Sequence, residues 1–245
     1  MHRFKIGSKT ADAFIIRDDE FYHLVKVLRL RQGDQVAGFD NSGAQWQGII
    51  ESIDKDSAVC RIMKEEFPGV EAKTAVYLVM GLAKGEKMEW VIQKGTELGM
   101  AGFIPLRTQR AVLQLEGKKA GEKVARWQKI ASEAVKQSRR VVEPEVTQIA
   151  DWGDLERILP PETQWLIPYE DETNNSLSNT LDGFKAEYPI AILIGPEGGF
   201  TPAEVSGARE RLKASSVSLG PRILRTETAA LTSLIMVLTH FGDLG

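Results

Sequence analysis

The segment that most limits the fold is Ile190–Ile194, IAILI, which has no polar residue on either face and stops at Gly195-Pro196. A strand that is apolar on both faces must be covered on both faces, as the central strand of a parallel sheet between helices is. The flanking pattern extends this reading. Strands are predicted over residues 75–82, 102–106 and 165–168, and helices over 86–98, 122–138, 202–212 and 226 to about 241. Strands alternating with helices predict an α/β layer structure with a largely parallel sheet. In such sheets ligands bind in the turns at the carboxyl ends of the strands.

Residues 1–69 read differently. QVAGF, QWQGIIESI and SAVCRIM alternate apolar and polar residues between turn signals at Gln32-Gly33-Asp34, Asn41-Ser42-Gly43 and Asp54-Lys55-Asp56, which is the pattern of a small β-barrel. Phe67-Pro68-Gly69 interrupts it, so the chain divides into a barrel over 1–69 and an α/β domain over 70–245. The lone cysteine, Cys60, lies inside an alternating segment and reads as a small core side chain, and no internal disulfide is possible. A reducing, cytoplasmic setting is expected. The amino-terminal residues contain no signal-like apolar region, and no run approaches about eighteen apolar residues, so neither secretion nor a membrane span is expected. His2, His23 and His240 have no partner pattern that marks a base or a metal site, and no metal is expected.

Three turns carry the chemistry. After the IAILI strand, Thr201-Pro202-Ala203-Glu204 is a capping box with proline at the first helical position, so the helix start is well specified. Between strand and cap lies Pro196-Glu197-Gly198-Gly199-Phe200, with glycines where backbone turns sharply or approaches a ligand. Phosphate-binding loops add a Lys and Ser/Thr, or a fuller glycine pattern, and this turn has neither. Glu197 would repel phosphate and suit a ligand bearing donors or positive charge; an ordinary tight turn remains an alternative. The second turn is SLGPRILRTETAAL, Ser218 to Leu231, with Thr226 as the expected cap of the last helix; the third, PYEDET, follows Trp165-Leu166-Ile167.

The net charge of −3 argues weakly against a nucleic-acid partner, but the charge is uneven. Residues 107–140 carry ten Lys/Arg against three Glu, whereas 141–190 carry eleven acids against two bases. One basic face would give this distribution, and so would a solvated helix followed by acidic loops.

IGPEGGFTPAEV followed by SLGPRILRTETAAL closely resembles the signature of the RsmE family, bacterial methyltransferases that modify N3 of a uridine in small-subunit (16S) ribosomal RNA. HLVKVLRLRQGD, KGEKMEWVIQKGTELGMAGFIPLRTQRAV and RWQKIASEAVKQSRR are similar to the family's other blocks, in the family's order, so the resemblance covers nearly the whole chain. It implies a PUA-like barrel joined to a SPOUT domain with a carboxyl-terminal trefoil knot, a homodimer, and S-adenosylmethionine held in the knot. It also implies RNA within the assembled or nearly assembled small subunit as partner. On this reading the cofactor is held by Pro168, Tyr169 and Glu170, by Gly195, Pro196, Glu197, Gly198 and Gly199, by Leu219, Gly220, Ile223 and Leu224, and by Ala229. Two blocks depart from the family's pattern: RTQRAV stands where TERSV is expected, and EAVKQSRR where EAxEQSGR is usual. Arg110, Glu133, Gln137, Ser138 and Arg140 still match.

Methylation of uridine N3 requires an aligned methyl donor, removal of a weakly acidic proton and stabilisation of charge on the ring. Arg225, between the second turn and the last helix, is the expected stabiliser, and Glu227 its orienting partner or the proton acceptor; an Arg and a Glu that merely decorate a helix start are the alternative. RNA phosphate contacts are expected from Arg3, His23, Arg29 and Arg31 in the barrel, and from Arg110, Arg126, Lys129, Gln137 and Arg140 in the basic segment. Trp127 shares a helix face with Ile130 and Ala134 and reads as core. A nucleotide hydrolase is disfavoured by the missing phosphate-loop Lys and metal carboxylates, and an RNA-binding protein without catalysis remains open.

Overall fold

Strands form where residues alternate in the first part of the chain. In the computed structural model, which describes residues 1–245, β1 (His2–Lys5), β2 (Ser8–Lys9) and β3 (Ala13–Arg17) are followed by helix α1 (Asp18–Tyr22) and a π-helical turn, His23–Val27. Then come β4 (Gln35–Phe39), β5 (Gln45–Ile53) and β6 (Ser57–Glu66). The sheet order is β1-β4-β5-β6-β3-β2, antiparallel except for β1 with β4. The link between the two edge strands, β1 and β2, bonds to the strand next to each: Ile6 N–H donates to Phe39 O of β4 at 2.9 Å and Gly7 N–H to Ile15 O of β3 at 2.8 Å. The sheet is therefore barrel-like. Phe4, Phe14, Ile16, Trp46, Ile50 and Cys60 fill its interior, and burial pushes the Cys60 thiol up to about 12, as suits an inert core side chain.

This unit comprises Met1–Glu71 together with a later segment, Val135–Glu143. Val135 and Val141 pack with Phe39. The Glu71 carboxylate accepts from the amides of Val141 at 2.8 Å and Val142 at 3.0 Å and pairs with the Arg140 guanidinium at 2.8 Å.

The second unit, Ala72–Ala134 with Pro144–Gly245, is α/β as expected. In chain order it contains β7 (Val76–Gly81), α2 (Lys87–Leu98), β8 (Gly102–Leu106), α3 (Gly117–Ser138, whose last four residues belong to the first unit), β9 (Glu145–Val146) and α4 (Leu155–Ile158). β10 (Gln164–Pro168), α5 (Leu177–Leu181), β11 (Ile190–Ile194), α6 (Pro202–Arg211), β12 (Ser215–Val217) and α7 (Thr226–His240) follow. The six strands are parallel throughout, in the order β12-β10-β11-β7-β8-β9. The apolar β11 is buried on both faces: Ile192 and Ile194 join one core with Val91, Trp127 and Leu234, while Ala191 and Leu193 join another with Leu155, Val205 and Ala208. Truncating such a side chain, as in Ile192→Ala, costs about 2–5 kcal/mol. α3 starts at Gly117, five residues before the expected start; GKKAG is helical without the apolar period that marks the rest of the helix, so the sequence pattern begins late. The Asp243 carboxylate accepts from the amides of Lys73 and Thr74, each at 2.8 Å, fastening the last residues to the entry of β7. No helix is long and apolar enough to cross a membrane.

Candidate functional site

β10, β11 and β12 are neighbours in the sheet, so the turns that leave them emerge at one edge. Together they line a cavity of about 1060 Å³ that lies wholly within the second unit. Of the residues expected to hold a ligand, Pro168, Tyr169, Glu170, Gly195 to Gly199, Leu219, Gly220, Leu224 and Ala229 all line it. Ile223 also borders it, but stands on the rim with 82% of its surface exposed instead of packing into the interior. Arg222 and Arg225 add positive charge to the same rim, and Lys87 to another wall.

The turns are built by local bonds. Glu204 N–H donates to Thr201 Oγ1 at 3.2 Å and Thr201 N–H to Glu204 Oε2 at 2.8 Å, which is the expected capping box. The first turn's glycines serve the turn itself. A Cβ on Gly195 would stand 3.0 Å from the Gly199 backbone, one on Gly198 would stand 3.1 Å from Arg110 Cβ, and Gly199 has φ +66°. Gly220 differs: its φ is +109°, and a Cβ there would meet nothing within 4 Å, so its backbone faces open space beside the cavity. Thr226 is not the cap of α7; Arg225 occupies that position, and the Thr226 hydroxyl donates to Gly195 O at 2.5 Å, tying the second turn to the first.

The charge expected of Glu197 is already compensated. Its Oε1 accepts from Lys84 N–H at 2.9 Å and from Lys87 Nζ at 2.8 Å. Burial opposes its ionisation, but these bonds and the Lys87 charge hold its carboxyl below the ordinary value. Glu170, by contrast, lines the cavity with no hydrogen bond or ion pair, its Oε1 3.1 Å from where a Cβ on Gly199 would stand. A hydrogen bond to Asp171, then burial and the charges of Asp171 and Glu170, raise the Tyr169 phenol above its ordinary value. Arg225 is exposed on the cavity, whereas Glu227 is outside the lining, half-buried, with Oε2 buried and without a hydrogen-bond partner. The two side chains are not ion-paired.

The residues expected on RNA divide. Arg140 is 5% exposed and paired with Glu71, so it is a buried strut of the first unit and not a surface contact. Arg3 is drawn to it, donating from Nη2 to Arg140 O at 2.9 Å with its guanidinium over the Phe39 ring. Arg29, Arg31, Lys129 and Gln137 are exposed, and His23 is half-buried, edge-on to Phe4. Arg126 is exposed but pairs with Glu89 at 2.7 Å. Arg110 donates through Nη1 to Gly198 O at 2.9 Å and Phe200 O at 3.3 Å. Lys84, Lys87 and the Thr226 hydroxyl were missed as site groups; the position of KGEK directly after a parallel strand was the available signal. No cluster of His, Cys, Asp or Glu could hold a metal ion.

Two family models match the chain: an RNA methyltransferase PUA domain over residues 16–63 and an RNA methyltransferase domain over residues 70–238. The chain is 37% identical over 228 residues to the ribosomal RNA small subunit methyltransferase E of Bacillus subtilis, covering 91% of this chain and 89% of the relative. It is 32% identical to the protein of the same name from Synechocystis, covering 89% and 70%. Among solved structures, the Neisseria gonorrhoeae ribosomal RNA small subunit methyltransferase E bound to S-adenosyl methionine is 28% identical with a TM-score of 0.84, covering 98% and 97%. Another, described only as a hypothetical protein, is 34% identical with a TM-score of 0.89, covering 98% and 99%.

Proposed function

Since the chain belongs to the RNA methyltransferase family that includes the ribosomal RNA small subunit methyltransferases E, we propose that it transfers a methyl group from S-adenosylmethionine to small-subunit ribosomal RNA, at N3 of a uridine. The observation that carries this reading is the cavity at the ends of β10, β11 and β12. The residues present fit the cofactor: the space is ample, Gly220 leaves its backbone open on the cavity side, and the Glu170 carboxylate lines the cavity without an ion pair, which suits a ligand bearing positive charge. Bound there, S-adenosylmethionine supplies an electrophilic methyl group on a sulfonium.

The chain's residues then have defined tasks. The turns of residues 168–170, 195–199 and 219–224, with Ala229, hold and orient the cofactor. Arg225, free of ion pairs on the cavity wall, donates to the uracil oxygens as charge develops on the ring. Glu227, whose unpartnered carboxylate oxygen is buried outside the cavity lining, orients Arg225 or turns toward the cavity to accept the departing N3 proton. His23, Arg29, Arg31, Arg126, Lys129 and Gln137 meet RNA phosphates and position the target without reading sequence.

The finer architecture belongs to the same proposal: residues 1–69 act as the RNA-positioning domain and 70–245 as the catalytic one, with a carboxyl-terminal trefoil knot. The return of β12 beside β10, outside β11, and the Thr226–Gly195 bond support the knot. The enzyme works in the cytoplasm as a homodimer on assembled or nearly assembled small subunits; Ile223 and the 39%-exposed Ile235 on α7 are apolar surface that a second copy would cover. The test is methyl transfer to small ribosomal subunits lacking the modification, followed by nucleoside analysis. The expected product is 3-methyluridine; any other methylated nucleoside refutes the assignment.

A further inference from the structure

Arg110 matches the basic segment by sequence, but its side chain bonds to the cavity turn. Nη1 donates to two carbonyls of one turn, Gly198 O at 2.9 Å and Phe200 O at 3.3 Å. Next to it, Gln109 N–H donates at 2.8 Å to Glu204 Oε1, the same carboxylate that closes the capping box of α6. The backbone at Gly198 is shaped for this approach, since a Cβ there would stand 3.1 Å from Arg110 Cβ and 3.6 Å from its Cδ. The segment after β8 thus grips the turn at Gly198, Phe200 and Glu204. Neither carbonyl has another hydrogen-bond partner in the protein, and the turn between Gly195 and Thr201 has one internal backbone bond, Gly199 N–H to Pro196 O at 2.9 Å.

We propose that Arg110 is a positioning residue for the cofactor, a brace that holds the Gly195–Phe200 turn in its ligand-ready shape, and not a contact to RNA phosphate. A guanidinium suits the task because one nitrogen carries two N–H groups and can serve both carbonyls at once. The inference rests on the reading of the cavity as the cofactor site, and it has a consequence independent of that reading: the turn should loosen without Arg110 even when no cofactor is present.

Both consequences can be measured on the full chain. In the cofactor-free protein, amide hydrogen exchange across residues 195–201 should quicken about tenfold in Arg110→Ala, the loss expected for charge-assisted bonds weakened by solvent exposure. By calorimetry, the Kd for S-adenosylmethionine should rise about tenfold, and the KM for the cofactor with it, while the KM for RNA and the salt dependence of RNA binding stay unchanged. Arg110→Lys, whose ammonium can reach a carbonyl, should recover part of both effects, which a general loss of stability would not. If wild type fails to bind S-adenosylmethionine while exchange in the turn still responds to Arg110→Ala, the cofactor reading falls and the brace is left without its purpose. Unchanged exchange and unchanged cofactor affinity, with a salt slope reduced by about one charge, would return Arg110 to the RNA surface and overturn the proposal.

Discussion

Replacing Thr226 by valine keeps the shape of the side chain and removes one hydroxyl. That hydroxyl is the donor in the 2.5 Å bond to Gly195 O, and the residue is only 8% exposed, so water cannot readily replace it. A neutral hydrogen bond contributes about 0.5–1.5 kcal/mol net, and orphaning a buried acceptor costs about 1–3 kcal/mol. The Gly195 backbone is half-buried, which places the expected loss between these, at about 1.5 kcal/mol. For a chain of this size that corresponds to a fall in Tm of roughly 3–6 °C. Because the bond joins two walls of the cavity, cofactor affinity should fall as well. Thr226→Ser keeps the donor and is the control. Thermal unfolding and calorimetry on the three proteins decide the matter. A valine variant within about 0.3 kcal/mol of wild type, or a serine variant as damaged as the valine one, would show that the methyl group and not the hydroxyl matters, and would refute the argument.

Arg225→Ala should lower turnover about a hundredfold with cofactor affinity little changed, because its donors act on charge present only in the transition state; single-turnover assays read this directly. Gly220→Val should abolish S-adenosylmethionine binding in calorimetry while circular dichroism stays native, since a branched side chain both fills the open space and strains a φ of +109° by about 1–3 kcal/mol. Gly198→Val should act differently, by displacing Arg110. Asp243 sets a pH dependence: burial opposes its ionisation, but bonds from Lys73 and Thr74 hold its carboxyl below the ordinary 3.8. Its contribution to stability is therefore full above pH 3.8 and is lost as pH falls through the depressed value, so Asp243→Asn should flatten denaturant stability against pH on the acid side.

Much of the second unit was legible because its four longer strands announce themselves locally, whereas β9 and β12, two and three residues long, carry too little pattern to do so. IAILI, GFIPL and the Thr201–Glu204 capping box need no knowledge of the rest of the chain, and β11, β8 and the start of α6 stand where those patterns put them. The convergence of the three turns was legible only through the RsmE resemblance, since strand order is not encoded in any one segment. What escaped were pairings between distant positions. Glu71 with Arg140, Lys87 with Glu197 and Thr226 with Gly195 are separated by many residues, and each partner alone reads as a surface charge or a helix cap. The π-helical turn at His23–Val27 was hidden for another reason: HLVKV is too short to show a helical period of its own, and it continues directly from α1.

The first unit is not continuous in sequence, and this bears on how the chain is made. Phe39 lacks the packing of Val135 and Val141, and Glu71 lacks its guanidinium and amide partners, until residue 143 has been synthesised. At a ribosome adding about 5–20 residues per second, the 72 residues from Ala72 to Glu143 take roughly 4–14 s. The barrel's interior, drawn from residues 4–62, needs nothing made later. The covering of Phe39 and the pairing of Glu71 wait for the end of α3 and the residues just after it, so the unit's core and its seal are made at different times.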